Sequence, residues 1–220
     1  MIVFVTGGTG YMGSRLIPLL LARGHSVRAL VRPASARTLP AGCTAISGDA
    51  LDAKSYSAQV AGAEALVHLI GVAHPSPAKA EQFQTVDLAS TRAAVSAAKG
   101  AGVLQFVYVS VAHPAPVMEA YIAARSEGEA LIRSAGLNAT MLRPWYVLGP
   151  GHRWPVVLKP FYWLAERFPG PGETARRLGL VTVQQMVGAL VWSIENPSDG
   201  VRILDVPAIR ARGSALSQPA

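Results

Sequence analysis

Val3-Phe4-Val5-Thr6-Gly7-Gly8-Thr9-Gly10-Tyr11-Met12-Gly13 is the stretch that decides the fold. An apolar run enters a set of glycines and leaves as a leucine-rich segment. Strand, tight turn and helix start, in that order, make a phosphate cradle. The glycines let the backbone turn sharply and approach a pyrophosphate closely, while the helix N-terminus offers unpaired N–H groups and positive potential. The spacing fits both Gly8-x-Gly10-x-x-Gly13 and Gly7-x-x-Gly10-x-x-Gly13. A glycine-rich turn that binds nothing has the same composition. Context separates the two readings, and here a strand precedes the glycines and a helix follows them.

The segment around the cradle is basic. The net charge of the 220-residue chain is +7, and residues 1–48 contain no Asp or Glu. They carry Arg15, Arg23, Arg28, Arg32 and Arg37. Such a segment suits nucleic acid or an anionic membrane. A small anionic ligand on the neighbouring cradle explains it without a polymer, so no nucleic-acid partner is expected. Half of the residues are hydrophobic and 15% are charged, which supports a buried core and argues against disorder. No apolar run reaches the ~18 residues of a membrane span. The N-terminus lacks the pattern of a signal peptide. Cys43 is the only cysteine, so no internal disulfide forms, which fits a reducing cytoplasm. A cytoplasmic protein is expected, and no metal site.

Beyond the cradle the pattern alternates. A first strand covers 2–6 and a helix 11–23, with Pro18 inside it and Gly24 as its stop. A second strand covers 26–31. Its end decides the cofactor. An NAD site places Asp or Glu about 20 residues beyond the glycines to bind the ribose 2′-hydroxyl. Val31-Arg32 stands there instead. A carboxylate repels a 2′-phosphate, whereas an arginine fork binds it in charge-assisted pairs. NADP(H) is therefore the expected cofactor, with Arg32 as its ligand and Arg15 and Arg37 as helpers. The plainer reading of Arg32 is a solvated loop arginine.

A third strand covers 44–47 and leads into Gly48-Asp49. Asp49 suits either the adenine amino group or the cap of a helix starting near Ala53. The fourth strand, 65–70, ends in His68-Leu69-Ile70-Gly71. Leu69, Ile70 and Gly71 are expected along the cofactor, and His68 in the core. A long helix over 78–99, a strand over 104–110 ending in Ser110, a helix over 117–134 and a strand over 138–142 complete the rhythm. Strand–helix alternation with short connectors predicts an α/β doubly wound parallel sheet with a small C-terminal substrate-side region.

Residues 144–172 differ. They hold seven of the fifteen aromatics, Trp145, Tyr146, Trp154, Phe161, Tyr162, Trp163 and Phe168, interleaved with prolines, Arg153, Lys159 and Arg167. A lid over an apolar or aromatic small-molecule substrate fits this composition. So do a peripheral membrane contact through 154–168 and a small aromatic satellite core. A strand over 178–181, a capping box from Thr182 to Gln185 with its helix, and a last strand over 201–206 follow. The expected organisation is one dinucleotide-binding domain over 1–206, with 144–182 as a substrate-side insertion and 207–220 as a loose tail.

Taken together, Thr6-Gly7-Gly8-Thr9-Gly10-Tyr11-Met12-Gly13, Val31-Arg32, Gly48-Asp49, His68-Leu69-Ile70-Gly71, Val107-Tyr108-Val109-Ser110, Tyr121-x-x-x-Arg125, and Leu142-Arg143-Pro144 with Gly149-Pro150-Gly151 resemble one family. The chain resembles the atypical and extended short-chain dehydrogenases/reductases, the epimerase- and NmrA-like group, close to the branch of the complex I accessory subunit. The resemblance implies a Rossmann-type fold over residues 1–206. It implies a nicotinamide cofactor held by Gly7, Gly10, Tyr11, Met12, Gly13, Arg32, Asp49, Leu69, Ile70 and Gly71. It also implies Tyr121 as proton donor or acceptor, Ser110 as the residue orienting the substrate oxygen, and position 125 as the cation beside the tyrosine. A phenol near pKa 10 needs such a cation to act at neutral pH. The family's usual lysine is Arg125 here, and Val111 stands where a second hydroxyl usually follows Ser110. Two functions follow: an NADP(H)-dependent oxidoreductase on an apolar carbonyl or ring substrate, or an NADP(H)-binding sensor or accessory subunit without turnover. An epimerase on a nucleotide sugar ranks lower, because the segment after the sixth strand is small for that lobe.

Overall fold

The computed structural model describes residues 1–114, 118–150 and 179–215. In chain order the strands are β1 (Ile2–Thr6), β2 (Ser26–Val31), β3 (Cys43–Ser47), β4 (Ala65–His68), β5 (Gln105–Val109), β6 (Ala139–Leu142), β7 (Tyr146–Leu148), β8 (Leu180–Thr182) and β9 (Val201–Leu204). The main helices are α1 (Gly13–Ala22), α2 (Ser57–Val60), α3 (Ala89–Ala101), α4 (Glu119–Ser134), α5 (Val183–Glu195) and α6 (Val206–Ala215). One seven-stranded sheet runs β3-β2-β1-β4-β5-β6-β9, every pair parallel. β7 and β8 pair separately, also in parallel.

Strand burial follows the layering. β4 and β6 are buried at every residue, and β1 at all but its first. Helices cover both faces, which is why these strands read as continuous apolar runs rather than alternating ones. Successive side chains still part to opposite faces. Val3 and Val5 join Leu16, Ile17 and Leu20 of α1 and the apolar side of α5 and α6. Phe4 and Leu66 join Tyr56, Val60, Ala94, Ala98 and Ile132 on the other side. α1 presents Gly13, Leu16, Ile17 and Leu20 inward, the spacing of one helical stripe, and leaves Pro18 on its solvent side.

Several expectations change. The long helix after Pro77 is composite: a 3₁₀ turn (Pro77–Lys79), one α turn (Ala80–Gln82), a π-helical turn (Phe83–Leu88), then α3. The helix expected near Ala53 is a 3₁₀ turn followed by the short α2, and its cap is Asp52, which accepts from the Lys54 amide. The expected tail is instead α6 as far as Ala215. It docks on α5 where two glycines meet. A methyl on Gly188 would lie 2.6 Å from the Gly213 carbonyl, and one on Gly213 only 2.0 Å from the Gln185 carbonyl. The Thr182–Gln185 capping box forms as expected. The aromatic stretch through 154–168, most of the proposed lid and the Arg37 side chain lie outside the described residues. Among the described residues, no helix is long and apolar enough to cross a membrane.

Candidate active site

In an open sheet of this order, a crevice forms where connections leave in opposite directions, here between β1 and β4. The glycine loop lines that crevice. Gly7 adopts φ +76°, and a methyl there would lie 2.9 Å from the Leu69 carbonyl carbon. Gly13 would drive a methyl to 2.4 Å from the Gly7 oxygen, so it lets α1 start hard against the loop. Gly10 differs. A methyl there meets only the Gly7 oxygen, at 3.2 Å, and the residue is exposed. α1 has no side-chain cap at Met12. Among the described residues the Met12 and Gly13 amides meet no acceptor. An open glycine beside uncapped amides at a helix N-terminus fits a diphosphate. The Tyr11 side chain turns away from this role. Its hydroxyl fills the space beneath Gly149, and the Arg15 guanidinium lies 4.1 Å from its ring centre.

Four of the five arginines of the basic segment have described side chains, and they separate by partner. Arg23 forks onto Glu195. Arg28 donates to the carbonyls of Gln59 and Ala61, and Arg15 to that of Tyr11. Arg32 is exposed just past β2, and its guanidinium has no partner among the described residues. Asp49 lies exposed after β3, where one carboxylate oxygen accepts from the Leu51 amide. Leu69 and Ile70 are half-buried at the end of β4, packed on Gly7.

Next to this crevice stands Tyr121, half-buried on α4. Its ring meets the edge of Phe83 at 5.1 Å and lies 5.3 Å from the Arg125 guanidinium carbon. Among the described residues its hydroxyl has no hydrogen-bond partner. Arg125 departs from the expected ribose contact. Its fork turns inward, donating to Asp87 at 3.0 Å, to the Val109 carbonyl at 3.0 Å and to the Ile70 carbonyl at 3.4 Å. Its Nε is buried without a partner among the described residues. Asp87 accepts the Val72 amide on its other oxygen at 2.7 Å. Burial pushes the Asp87 carboxyl above its usual range, against the pull of Arg125 and that amide. Burial alone would lower the Arg125 pKa, yet Tyr121, Tyr108 and Asp87 around it raise it. Gly71 serves this cation: a methyl there would sit 2.2 Å from the guanidinium.

His68 is a core histidine, as expected. Thr6 meets its Nδ1 at 2.8 Å, while Ser90 and Thr91 face its Nε2. Both hydroxyls also bond the Asp87 carbonyl, so they accept from Nε2–H, and Thr6 donates to Nδ1. Burial, then Arg125, pulls the His68 pKa down to about 3.

Ser110 has a protein partner. It is buried at the end of β5 and donates to Glu129 at 2.7 Å, so its proton points to that carboxylate rather than into the crevice. Glu129 also receives a two-pronged Arg143 fork. Burial raises the Glu129 pKa, but Arg143 and Ser110 outweigh it and hold the carboxyl below its usual range. Asp87 went unnoticed in the sequence. Its signal was a lone acid in an otherwise uncharged turn, four residues after Phe83.

A family model described as NAD(P)H-binding matches residues 7–157. The ceramide reductase of Caulobacter vibrioides is 28% identical over 208 residues, covering 93% of this chain and 65% of that protein. A farnesyl-dihydroquinoline-oxide ketoreductase of Stigmatella aurantiaca is 30% identical over 168 residues, 66% of this chain and 50% of its own length. A 3-diazoavenalumate denitrifying reductase of a Streptomyces species is 30% identical over 228 aligned residues, 90% of this chain and 73% of that protein. The chain thus spans between half and two thirds of the first two relatives. Among solved structures, the Bordetella bronchiseptica enzyme WbmH in complex with NAD+ superposes with a TM-score of 0.70 at 22% identity, covering 100% of this chain and 82% of that one. With the glycine cradle, the parallel sheet and these matches in hand, the chain belongs to the NAD(P)H-binding family, within the extended short-chain dehydrogenases/reductases.

Proposed function

We propose that the protein is an NADP(H)-dependent reductase of a carbonyl on a large apolar substrate. One observation carries the reading. The open cradle at Gly10 and the Tyr121–Arg125 pair stand at the same end of one sheet. Arg32 supports NADP(H) over NAD(H), since its free fork lies past β2, where an acid is missing. Relatives named for ceramide, a farnesylated quinoline and a 3β-hydroxysteroid support an apolar substrate.

A reduced nicotinamide, once bound here, would supply the hydride that reduces a carbonyl carbon. Tyr121 then gives its hydroxyl proton to the carbonyl oxygen, leaving an alcohol, and recovers a proton from water. Arg125 stabilises the phenolate from the ring side. Gly10 and the Met12 and Gly13 amides would hold the diphosphate, Arg32 the 2′-phosphate, and Leu69 and Ile70 would line the ribose path. A second reading, NADP(H) binding without turnover, is favoured by Ser110 being spent on Glu129.

The experiment measures NADPH binding and NADPH oxidation against a panel of long-chain and ring ketones. Tyr121→Phe is expected to lose at least ~100-fold in kcat with NADPH affinity retained. Unchanged turnover overturns the catalytic assignment, and absent turnover in the wild type with tight NADPH binding favours the second reading. Arg32→Asp is expected to weaken NADPH relative to NADH by about tenfold or more. An unchanged ratio overturns the cofactor preference.

A further inference from the structure

Phe83 and Asp87 stand four residues apart on the π-helical turn before α3. Tyr121 and Arg125 stand four apart on α4. The two pairs meet face to face, ring edge on ring at 5.1 Å and carboxylate on guanidinium at 3.0 Å. Residues at this spacing share a helix face, so one short turn addresses both members of the second pair. Turns of this π type recur at functional sites.

We propose that Asp87 is a positioning residue of the reaction centre: it holds Arg125 against the Tyr121 ring and ties that cation to the strand exit beside the cofactor cradle. The assignment rests on the oxidoreductase reading above. Its basis is a continuous set of contacts. Asp87 grips the Val72 amide with one oxygen and Arg125 with the other. Arg125 reaches the Ile70 carbonyl, and the Leu69–Ile70 peptide is the surface on which Gly7 rests. The backbone carbonyl of Asp87 anchors Ser90 and Thr91, which hold His68 at the end of β4. Asp87 and Arg125 are almost wholly buried, so neither charge has water to turn to. Each fixes the other, because a buried ion without its partner is costly. The Arg125 charge acts on Tyr121 from the protein side.

The test uses Asp87→Asn, which keeps an acceptor for the Val72 amide, removes the charge and turns the oxygen that faces Arg125 into an amide donor. Expected is a loss of at least ~10-fold in kcat per NADPH-titrated site, with substrate KM and NADPH Kd within about threefold. Arg125→Met and the double variant complete a cycle. If Asp87 acts through Arg125, the double variant matches Arg125→Met within about twofold; multiplied losses overturn the proposal. A crystal structure of Asp87→Asn gives a readout independent of turnover. The Arg125 guanidinium is expected to leave its place by more than about 1 Å. If it keeps its 5.3 Å distance from the Tyr121 ring, Asp87 does not position it, whatever the enzyme reduces. A wild type without turnover refutes the oxidoreductase reading, and the crystallographic arm still decides the role of Asp87.

Discussion

Gly10→Ala separates a cofactor cradle from a glycine-rich turn. The added methyl meets only the Gly7 carbonyl oxygen, at 3.2 Å, so the loop needs to yield by a few tenths of an ångström. Gly10 does not use a positive φ. Replacing glycine by alanine also removes unfolded-state freedom, a gain of about 0.4–1 kcal/mol. The two effects nearly cancel, and stability is expected to stay within ~1 kcal/mol, or about 2–4 °C in Tm for a chain of this size. A diphosphate crossing Gly10 has no such latitude. Overfilling a packed contact by one methyl costs ~1–3 kcal/mol. That converts to roughly a 5- to 150-fold weaker NADPH Kd, read by fluorescence titration. Gly13→Ala is the contrast. Its methyl would lie 2.4 Å from the Gly7 oxygen and 2.6 Å from the Gly8 Cα, both backbone atoms. It should lower Tm by about 2–12 °C as well as weaken binding. If Gly10→Ala keeps Kd within about twofold at unchanged Tm, no diphosphate crosses Gly10 and the cradle reading is wrong. An unchanged Tm for Gly13→Ala refutes the packing argument separately.

Two further predictions concern stability. His68 titrates near 6.5 when unfolded and at about 3 when folded, so between those values only the unfolded chain takes up its proton. Stability should fall as pH drops through that window, by up to ~1.4 kcal/mol per pH unit from this group. Chemical denaturation of His68→Gln across pH 4–7 should show a slope shallower by about one proton, and identical slopes would remove His68 from the acid response. Gly213→Ala forces a methyl to 2.0 Å from the Gln185 carbonyl and should cost ~1–3 kcal/mol, seen as a Tm lower by about 2–12 °C. No change would mean that α6 does not dock as described.

The sequence carried what is local. An apolar run before glycines announces β1, the crevice and α1, because each depends on neighbours within one turn. Arg32 was readable for the same reason, as the residue that follows a strand. The Asp87–Arg125–Tyr121 cluster is different in kind. Asp87 and Arg125 meet only because the π-helical turn before α3 packs against α4, and nothing in either segment states that the carboxylate and guanidinium face each other. Ser110 looked free because its partner, Glu129, lies on a later helix. Gly71 looked like a cofactor contact, and its bareness serves Arg125. α6 escaped notice because its helix depends on two glycines letting α5 approach rather than on its own propensity.

The contact of Gly7 with the Leu69–Ile70 peptide has a thermodynamic consequence. The crevice is shared between β1 and β4, which are joined only through the folded sheet. A nucleotide lying across both acts as a clasp that the unfolded chain cannot use. At a hundredfold excess over Kd, such a ligand adds about 2.7 kcal/mol to folding. The survival of the fold then rises and falls with nucleotide supply, so the thermal endurance of the chain is a gauge of that pool.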